Sequence, residues 1–113
     1  MPPAKTITVR LGDQKRELRY EKRHVYRLER TTGRTVFEQF EDLKRGSFSA
    51  MVDLICAGLW HEQPDLKPEE VADMVDFDQL KDVMVGVAEG LGAVIGAKVG
   101  EKAEGNGGEG ADS

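Results

Sequence analysis

Hydrophobic and polar residues alternate at the start of the chain, over residues 6–11. The apolar side chains that share one side are Ile7, Val9 and Leu11. This alternation predicts a half-buried strand, followed by a turn over residues 12–15. A weaker strand over residues 16–20 then points Leu18 and Tyr20 inward. Two strands alone are only marginally stable, so we expect the hairpin to lie on helices or to pair with another subunit.

A helical repeat replaces the alternation from residue 47 to about residue 62. Large apolar residues recur three and four positions apart, which is the spacing of one helix face. They are Phe48, Met51, Val52, Ile55 and Leu59. Ser47 can cap the start of this helix, and Pro64 follows its end. Because a helix this apolar needs cover on most sides, we predict that it is the central core helix.

Two amphipathic helices are predicted before the core helix. The first spans residues 21–32, carries a narrow apolar line and ends at Gly33. Thr35 and Glu38 have the spacing of a capping box at the start of the second, which Gly46 ends. The apolar face of the second helix consists of Val36, Phe37, Phe40 and Leu43.

Two further helices are predicted after Pro64. Pro68 at a first helical position starts a short helix, and Asp76 with Gln79 forms a second capping pair. The last helix is predicted from Phe77 to about Val99, a length of about 35 Å. Its apolar face consists of Leu80, Val83, Met84, Val87, Leu91, Val94 and Ile95. Glycines weaken its second half, and we expect fraying there more than close packing.

These elements predict an α+β fold that is mainly α, with an N-terminal β-hairpin followed by about five helices in a small single domain. The 113 residues fit one domain. We expect a flexible N-terminus over residues 1–5, the domain over residues 6–99, and a disordered Gly/Glu-rich tail over residues 100–113. No signal peptide or membrane-spanning stretch is evident, which predicts a soluble cytoplasmic protein.

Charge is distributed unevenly, although the net charge is −5. Residues 1–46 carry 12 basic and 7 acidic residues, and the remainder carries 4 basic and 14 acidic residues. The basic half could bind an acidic partner or nucleic acid. Interleaved acids such as Glu17, Glu21 and Glu29 favour the simpler interpretation of a solvated surface. Nucleic-acid binding is therefore not expected.

No arrangement of residues typical of catalysis, cofactor binding or metal binding is evident. His24, His61 and Cys56 are far apart and lack metal-ligand spacing. We predict a surface position for His24, a helix-end position for His61 and a buried structural thiol for Cys56. The sequence therefore predicts that the protein is not an enzyme and has no catalytic, cofactor-binding or metal-binding residues.

Partner binding is predicted at the end of the core helix and along the last helix. Trp60 either closes the core or anchors a partner, since tryptophan is enriched at binding hot spots. The last helix presents an apolar band longer than a domain of this size can cover. We therefore expect a partner, either a second copy or a client helix, at Trp60, Met84, Val87, Leu91 and Val94.

The order of elements resembles the tail assembly chaperones of tailed bacteriophages and of gene transfer agents. The resemblance covers residues 6–95. It rests on the hairpin and on three segments, 28–33 (LERTTG), 57–61 (AGLWH) and 68–72 (PEEVA), the last followed by Val75 and Asp76. Lys67 departs from the Thr or Ser that the family more often has there, and the tail after Val99 has no counterpart.

The resemblance implies a non-enzymatic holdase. Such a protein binds the long helical tape measure protein, assists polymerisation of the tail tube protein, acts in the cytoplasm of the bacterial host and is absent from the mature particle. Two alternatives stay open at this point. One is a small nucleic-acid-binding regulator that uses the basic half, and the other is a structural tail or connector protein.

Overall fold

A β-hairpin followed by five α-helices makes up the described part of the chain, residues 6–96 of a computed structural model. This confirms the predicted α+β, mainly α fold. The elements are β1 (Thr6–Leu11), β2 (Gln14–Arg19), α1 (Lys22–Thr32), α2 (Val36–Lys44), α3 (Phe48–Leu59), α4 (Pro68–Met74), a 3-10 turn (Phe77–Gln79) and α5 (Leu80–Ile95). The predicted flexible N-terminus and the predicted disordered tail lie outside the described residues.

The hairpin is tighter than the sequence indicated. Leu11 pairs with Gln14 across an antiparallel ladder, so the loop contains only Gly12 and Asp13. Gly12 has a φ of 64°, a left-handed conformation that glycine adopts without strain. The predicted turn over residues 12–15 is therefore too long by two residues, because Gln14 and Lys15 already belong to β2.

Helix α3 is the centre of the fold, as predicted. Nine of its twelve residues are buried, and β2, α1, α2, α4 and α5 all contact it. Its start is capped by Ser47, whose hydroxyl accepts a hydrogen bond from the Ala50 amide at 3.1 Å. Burial on nearly every side explains why the sequence of α3 is apolar almost throughout.

The hairpin packs on two helices at glycine residues. On β1, Ile7 and Val9 lie against Gly90 and Gly86 of α5, and on β2 Leu18 lies against Gly58 of α3. A Cβ atom on Gly90 would come within 1.4 Å of Ile7 Cδ1, so only glycine fits there without movement. The expected fraying of α5 is therefore wrong for this stretch, because the glycines admit the strand that covers the helix.

Helix α2 begins with the predicted capping box. The Thr35 hydroxyl accepts from the Glu38 amide, and the Glu38 carboxylate accepts from the Thr35 amide at 2.9 Å. The Glu29 carboxylate of α1 also accepts a hydrogen bond from the Val36 amide at 2.6 Å. These bonds satisfy amides at the helix start and fix α2 against the end of α1.

Helix α5 is shorter than predicted at both ends. Its sixteen residues correspond to about 24 Å instead of about 35 Å. Gly96, with a φ of 79°, ends the helix after Ile95, while Phe77–Gln79 form the 3-10 turn. The predicted Asp76–Gln79 capping pair does not form, because the Gln79 side chain bonds the backbone N–H and C=O of Gly12 at 3.0 and 3.2 Å. These two hydrogen bonds connect the hairpin loop to the start of α5.

Candidate functional site

An exposed apolar groove lies between the end of α2, the 3-10 turn and the first half of α5. We call it the α2–α5 groove; its volume is about 650 Å³. Its apolar lining consists of Leu43, Phe77, Leu80, Met84, Val85 and Ala88. Volumes of this size are typical of binding sites, so the groove is the principal candidate site.

Two side chains of the groove are more exposed than apolar residues usually are. Phe77 is 81% exposed and Val85 is 48% exposed. The Phe77 ring lies 6.3 Å from the Phe48 ring, so one edge of it rests on α3 while the rest faces solvent. Because both side chains line the same groove, they are candidate anchors for a partner.

Charged residues border the α2–α5 groove without filling it. Lys44, Asp78 and Lys81 contribute to its rim. Lys44 is held in place by an ion pair with Glu41 at 3.2 Å and lies 5.0 Å from the Phe40 ring. An apolar floor with a mixed-charge rim is the usual anatomy of a protein–protein contact.

Trp60 closes the core in this structure. It is 4% exposed, and its indole N–H donates to the Leu66 carbonyl at 3.0 Å. The Arg27 guanidinium lies 3.9 Å from the ring centroid, and the His24 ring meets Trp60 edge-on at 6.2 Å. With its N–H satisfied and its ring covered, Trp60 presents almost no surface to a partner in this conformation.

The structure divides the predicted partner-binding residues of α5 among three environments. Val87 and Leu91 are fully buried, where they contribute to the core below the hairpin. Met84 lines the α2–α5 groove, and Val94 lies on another surface, where it borders a groove of about 330 Å³ with Tyr26 of α1. The five predicted residues, Trp60 included, therefore do not form one surface.

The sequence pattern does not point to Phe77 and Val85 as candidate site residues. It predicts Phe77 as the first residue of the last helix, and Val85 falls outside the apolar face predicted for that helix. The sequence does contain one signal, since Phe77 is flanked by the charged residues Asp76 and Asp78. Val85 lies between Lys81 and Glu89 at four-residue spacing, which places it on the polar side of α5.

His24 is half-buried, in contrast to the predicted surface position. Its Nδ1 atom is buried and has no hydrogen-bond partner within the described chain. Burial lowers the pKa of His24, Glu21 raises it, and the positive charges of Arg23, His61 and Arg27 lower it further. His61 lies just beyond α3, where its Nε2 is 2.9 Å from the Glu17 carbonyl oxygen of β2.

Cys56 is a buried thiol, as predicted. It is 1% exposed, and its Sγ donates to the Leu66 carbonyl at 3.3 Å. Burial raises the pKa of Cys56 to about 11, so the reactive thiolate is scarce at neutral pH. Over residues 6–96, no three His, Cys, Asp or Glu residues are grouped as metal ligands would be. No helix in that range has the length and apolar character required to span a bilayer.

Six of the eleven basic residues within residues 6–46 form ion pairs with acidic side chains. The paired residues are Arg16, Arg19, Arg23, Arg34, Lys44 and Arg45. Their partners are the interleaved carboxylates and Glu62. Pairing of this kind lowers the positive potential that a phosphate backbone would meet.

Comparisons of the chain with protein-family models, with curated proteins and with solved structures find no match.

Proposed function

We propose that the protein is a non-enzymatic tail assembly chaperone that binds amphipathic helices of a tape measure protein. The α2–α5 groove is the observation that supports this proposal. In this role the protein acts in the cytoplasm of the bacterial host, keeps the tape measure protein available while the tail tube protein polymerises, and is absent from the mature particle.

The groove has the properties that helix-in-groove recognition needs. An amphipathic helix binds by placing apolar residues spaced by three and four positions into a hydrophobic channel. Phe77 and Val85 stand out from the surface at the groove, and half-buried Met84 offers a flexible side chain that adapts to varied partners. A surface of this kind suits a long client that repeats similar helical segments.

The chemistry of the described residues favours binding over catalysis. The buried Cys56 thiol contacts a carbonyl, and the exposed groove contains no histidine or cysteine. The ion pairs of the N-terminal half weigh against the nucleic-acid regulator. A structural tail protein would share the same groove, and its presence in the finished particle distinguishes it from a chaperone.

The proposal is tested by co-expression with a tape measure protein, identified as the product of a very long, helix-rich open reading frame downstream of the gene for this chain. We expect the full-length chain to raise the soluble fraction of the tape measure protein and to co-purify with it. The substitutions Phe77→Ser and Val85→Ser together should reduce co-purification at least about tenfold, because they remove two exposed anchors of the size that dominates interfaces.

The matched control is Phe37→Ser with Val94→Ser. These side chains are also exposed, at 60% and 37%, and lie outside the α2–α5 groove. The control should bind as the wild type does, and circular dichroism should show that both variants fold. Equal capture by all three proteins, or no capture by any, would contradict the proposal. Detection of the chain in purified particles would support the structural tail protein instead.

A further inference from the structure

The exposed row of α5 is self-complementary. Lys81, Val85 and Glu89 are all exposed and follow one another at four-residue intervals. Such a row forms a ridge on a helix surface, and two of these ridges interdigitate when helices cross. The row has a basic residue at one end, an acidic residue at the other and an apolar residue between them.

We propose that, in the absence of client, a second copy of this chain covers the α2–α5 groove through a two-fold contact centred on Val85. A two-fold axis perpendicular to both helices makes the two α5 helices antiparallel. Val85 then meets Val85 of the second copy, and Lys81 faces Glu89 of the second copy on both sides of the axis. The pairing follows from the equal four-residue spacing on either side of Val85.

The unused charges on α5 support this occupant. Within residues 6–96, neither Lys81 nor Glu89 takes part in an ion pair. A parallel contact would place Lys81 against Lys81, so the charge pattern selects the antiparallel one. The rim adds Lys44 and Asp78, so the face carries both signs of charge.

The sizes of the side chains also match across the axis. Phe77 lies eight residues before Val85, in the 3-10 turn, and Ala93 lies eight residues after it, on α5. Ala93 is exposed and small, which leaves room for the Phe77 ring of the second copy. The second copy would thereby bury Phe77, the most exposed large apolar side chain of the described residues. A contact limited to two helical turns and one aromatic residue is small, so the dimer is expected to be weak and reversible.

The dimer is inferred from the charges and side-chain sizes along the exposed row of α5. Its role in guarding the groove rests on the proposed function. A holdase with an uncovered apolar groove is exposed to non-specific association. A weak dimer protects the groove and yields to a client, because the two occupants compete for the same residues. Client binding should therefore be tighter for a chain that cannot dimerise.

The dimer is tested by light scattering or sedimentation of the full-length chain at increasing concentration. The average mass should rise from 12.5 kDa toward twice that value. Lys81→Glu and Glu89→Lys should each raise the dissociation constant about tenfold, since each turns two attractive pairs into repulsive ones. The double variant Lys81→Glu/Glu89→Lys reverses both charges and should restore dimerisation.

Three results would overturn the dimer: a monomer at all concentrations, unchanged dimerisation in Lys81→Glu, or no rescue in the double variant. These residues are exposed, and circular dichroism will verify folding. The guarding role is tested by capture of the tape measure protein with Glu89→Lys, because Glu89 does not line the α2–α5 groove; this variant should capture more of the tape measure protein than the wild type does. Equal or weaker capture by Glu89→Lys would overturn that role. Dimerisation without capture by either protein would leave the dimer standing and contradict the proposed function.

Discussion

At the scale of single residues, the cluster around Trp60 couples packing to proton binding. The imidazole of His24 meets the edge of the Trp60 ring, and the Arg27 guanidinium lies close to the same ring. Burial lowers the pKa of His24 below its ordinary value, and nearby Arg23, His61 and Arg27 act in the same direction against Glu21. A positive charge on His24 is therefore less favourable in the folded chain than in the unfolded one.

The first prediction is a loss of stability on mild acidification. Because the folded-state pKa of His24 is depressed, the unfolded chain binds this proton first as the pH falls below about 6.5, and stability decreases. His24→Gln removes this contribution. The free energy of unfolding in urea should therefore fall less between pH 7.5 and pH 5.5 in the variant than in the wild type. An equal fall in both chains would contradict the assignment to His24.

At the scale of elements, the contact between β1 and α5 depends on the absence of a side chain at Gly90. A methyl group there would overlap Ile7 Cδ1 at 1.4 Å and Cγ1 at 2.2 Å. Isoleucine is branched at Cβ and has few side-chain conformations with which to avoid the overlap. The strand or the helix would have to move instead.

The second prediction is that Gly90→Ala destabilises the protein by about 1–3 kcal/mol, although alanine is the better helix former. Gly86→Ala is the matched control and should destabilise the protein less. Its new methyl group would lie 3.1 Å from Val9 Cγ1, which needs to move by only a few tenths of an ångström. The penalty of Gly90→Ala should shrink in an Ile7→Ala background, because the overlapping atoms are then gone. Chemical denaturation of the wild type, Gly90→Ala, Ile7→Ala and their double variant measures this coupling, and a full penalty in both backgrounds would argue against it.

Sequence patterns predicted local features better than contacts between distant elements. The apolar repeat of α3, the capping box at Thr35 and the inward side of β1 depend on neighbouring residues, and all three are confirmed. The start of α5 depends instead on Gln79, which bonds a residue 67 positions away. The glycines of α5 likewise predicted a helix of low intrinsic stability, because the sequence pattern does not show that β1 packs on them.

The candidate site was less predictable than the fold for the same reason. Helical periodicity identified α5 as apolar, but it could not say how much of the helix the hairpin covers. Val87 and Leu91 are buried on a helix that β1, α2 and α3 all contact. The large apolar side chains that stay exposed on α5 are Val85 and Val94, and Phe77 is exposed in the turn before it.

At the scale of the whole molecule, charge is locally compensated in the N-terminal half. Within residues 6–96, ion pairs engage basic residues of β2, α2 and α1 and of the segments beside them, as Arg16–Glu62 and Arg45–Asp42 illustrate. Exposed pairs add little stability. Their larger effect here is to reduce the positive potential of the surface as a whole.

The third prediction is that duplex DNA binds weakly, with a dissociation constant above about 100 μM at ~150 mM salt. The physical reason is the pairing of basic residues together with the net charge of −5. Fluorescence anisotropy with labelled DNA at several salt concentrations measures both affinity and salt dependence. A micromolar complex with a steep loss of affinity at higher salt would favour the regulator over the chaperone.

The contact of Ile7 with Gly90 also sets the order in which the chain can mature during translation. The two residues are 83 positions apart in sequence, and ribosomes add about 5–20 residues per second. The partner of the β1 inner face is therefore synthesised about 4–17 seconds after β1 itself. During that interval Ile7 and Val9 lack the helix that covers them, so the nascent chain has its own period of exposed apolar surface before its last helix arrives.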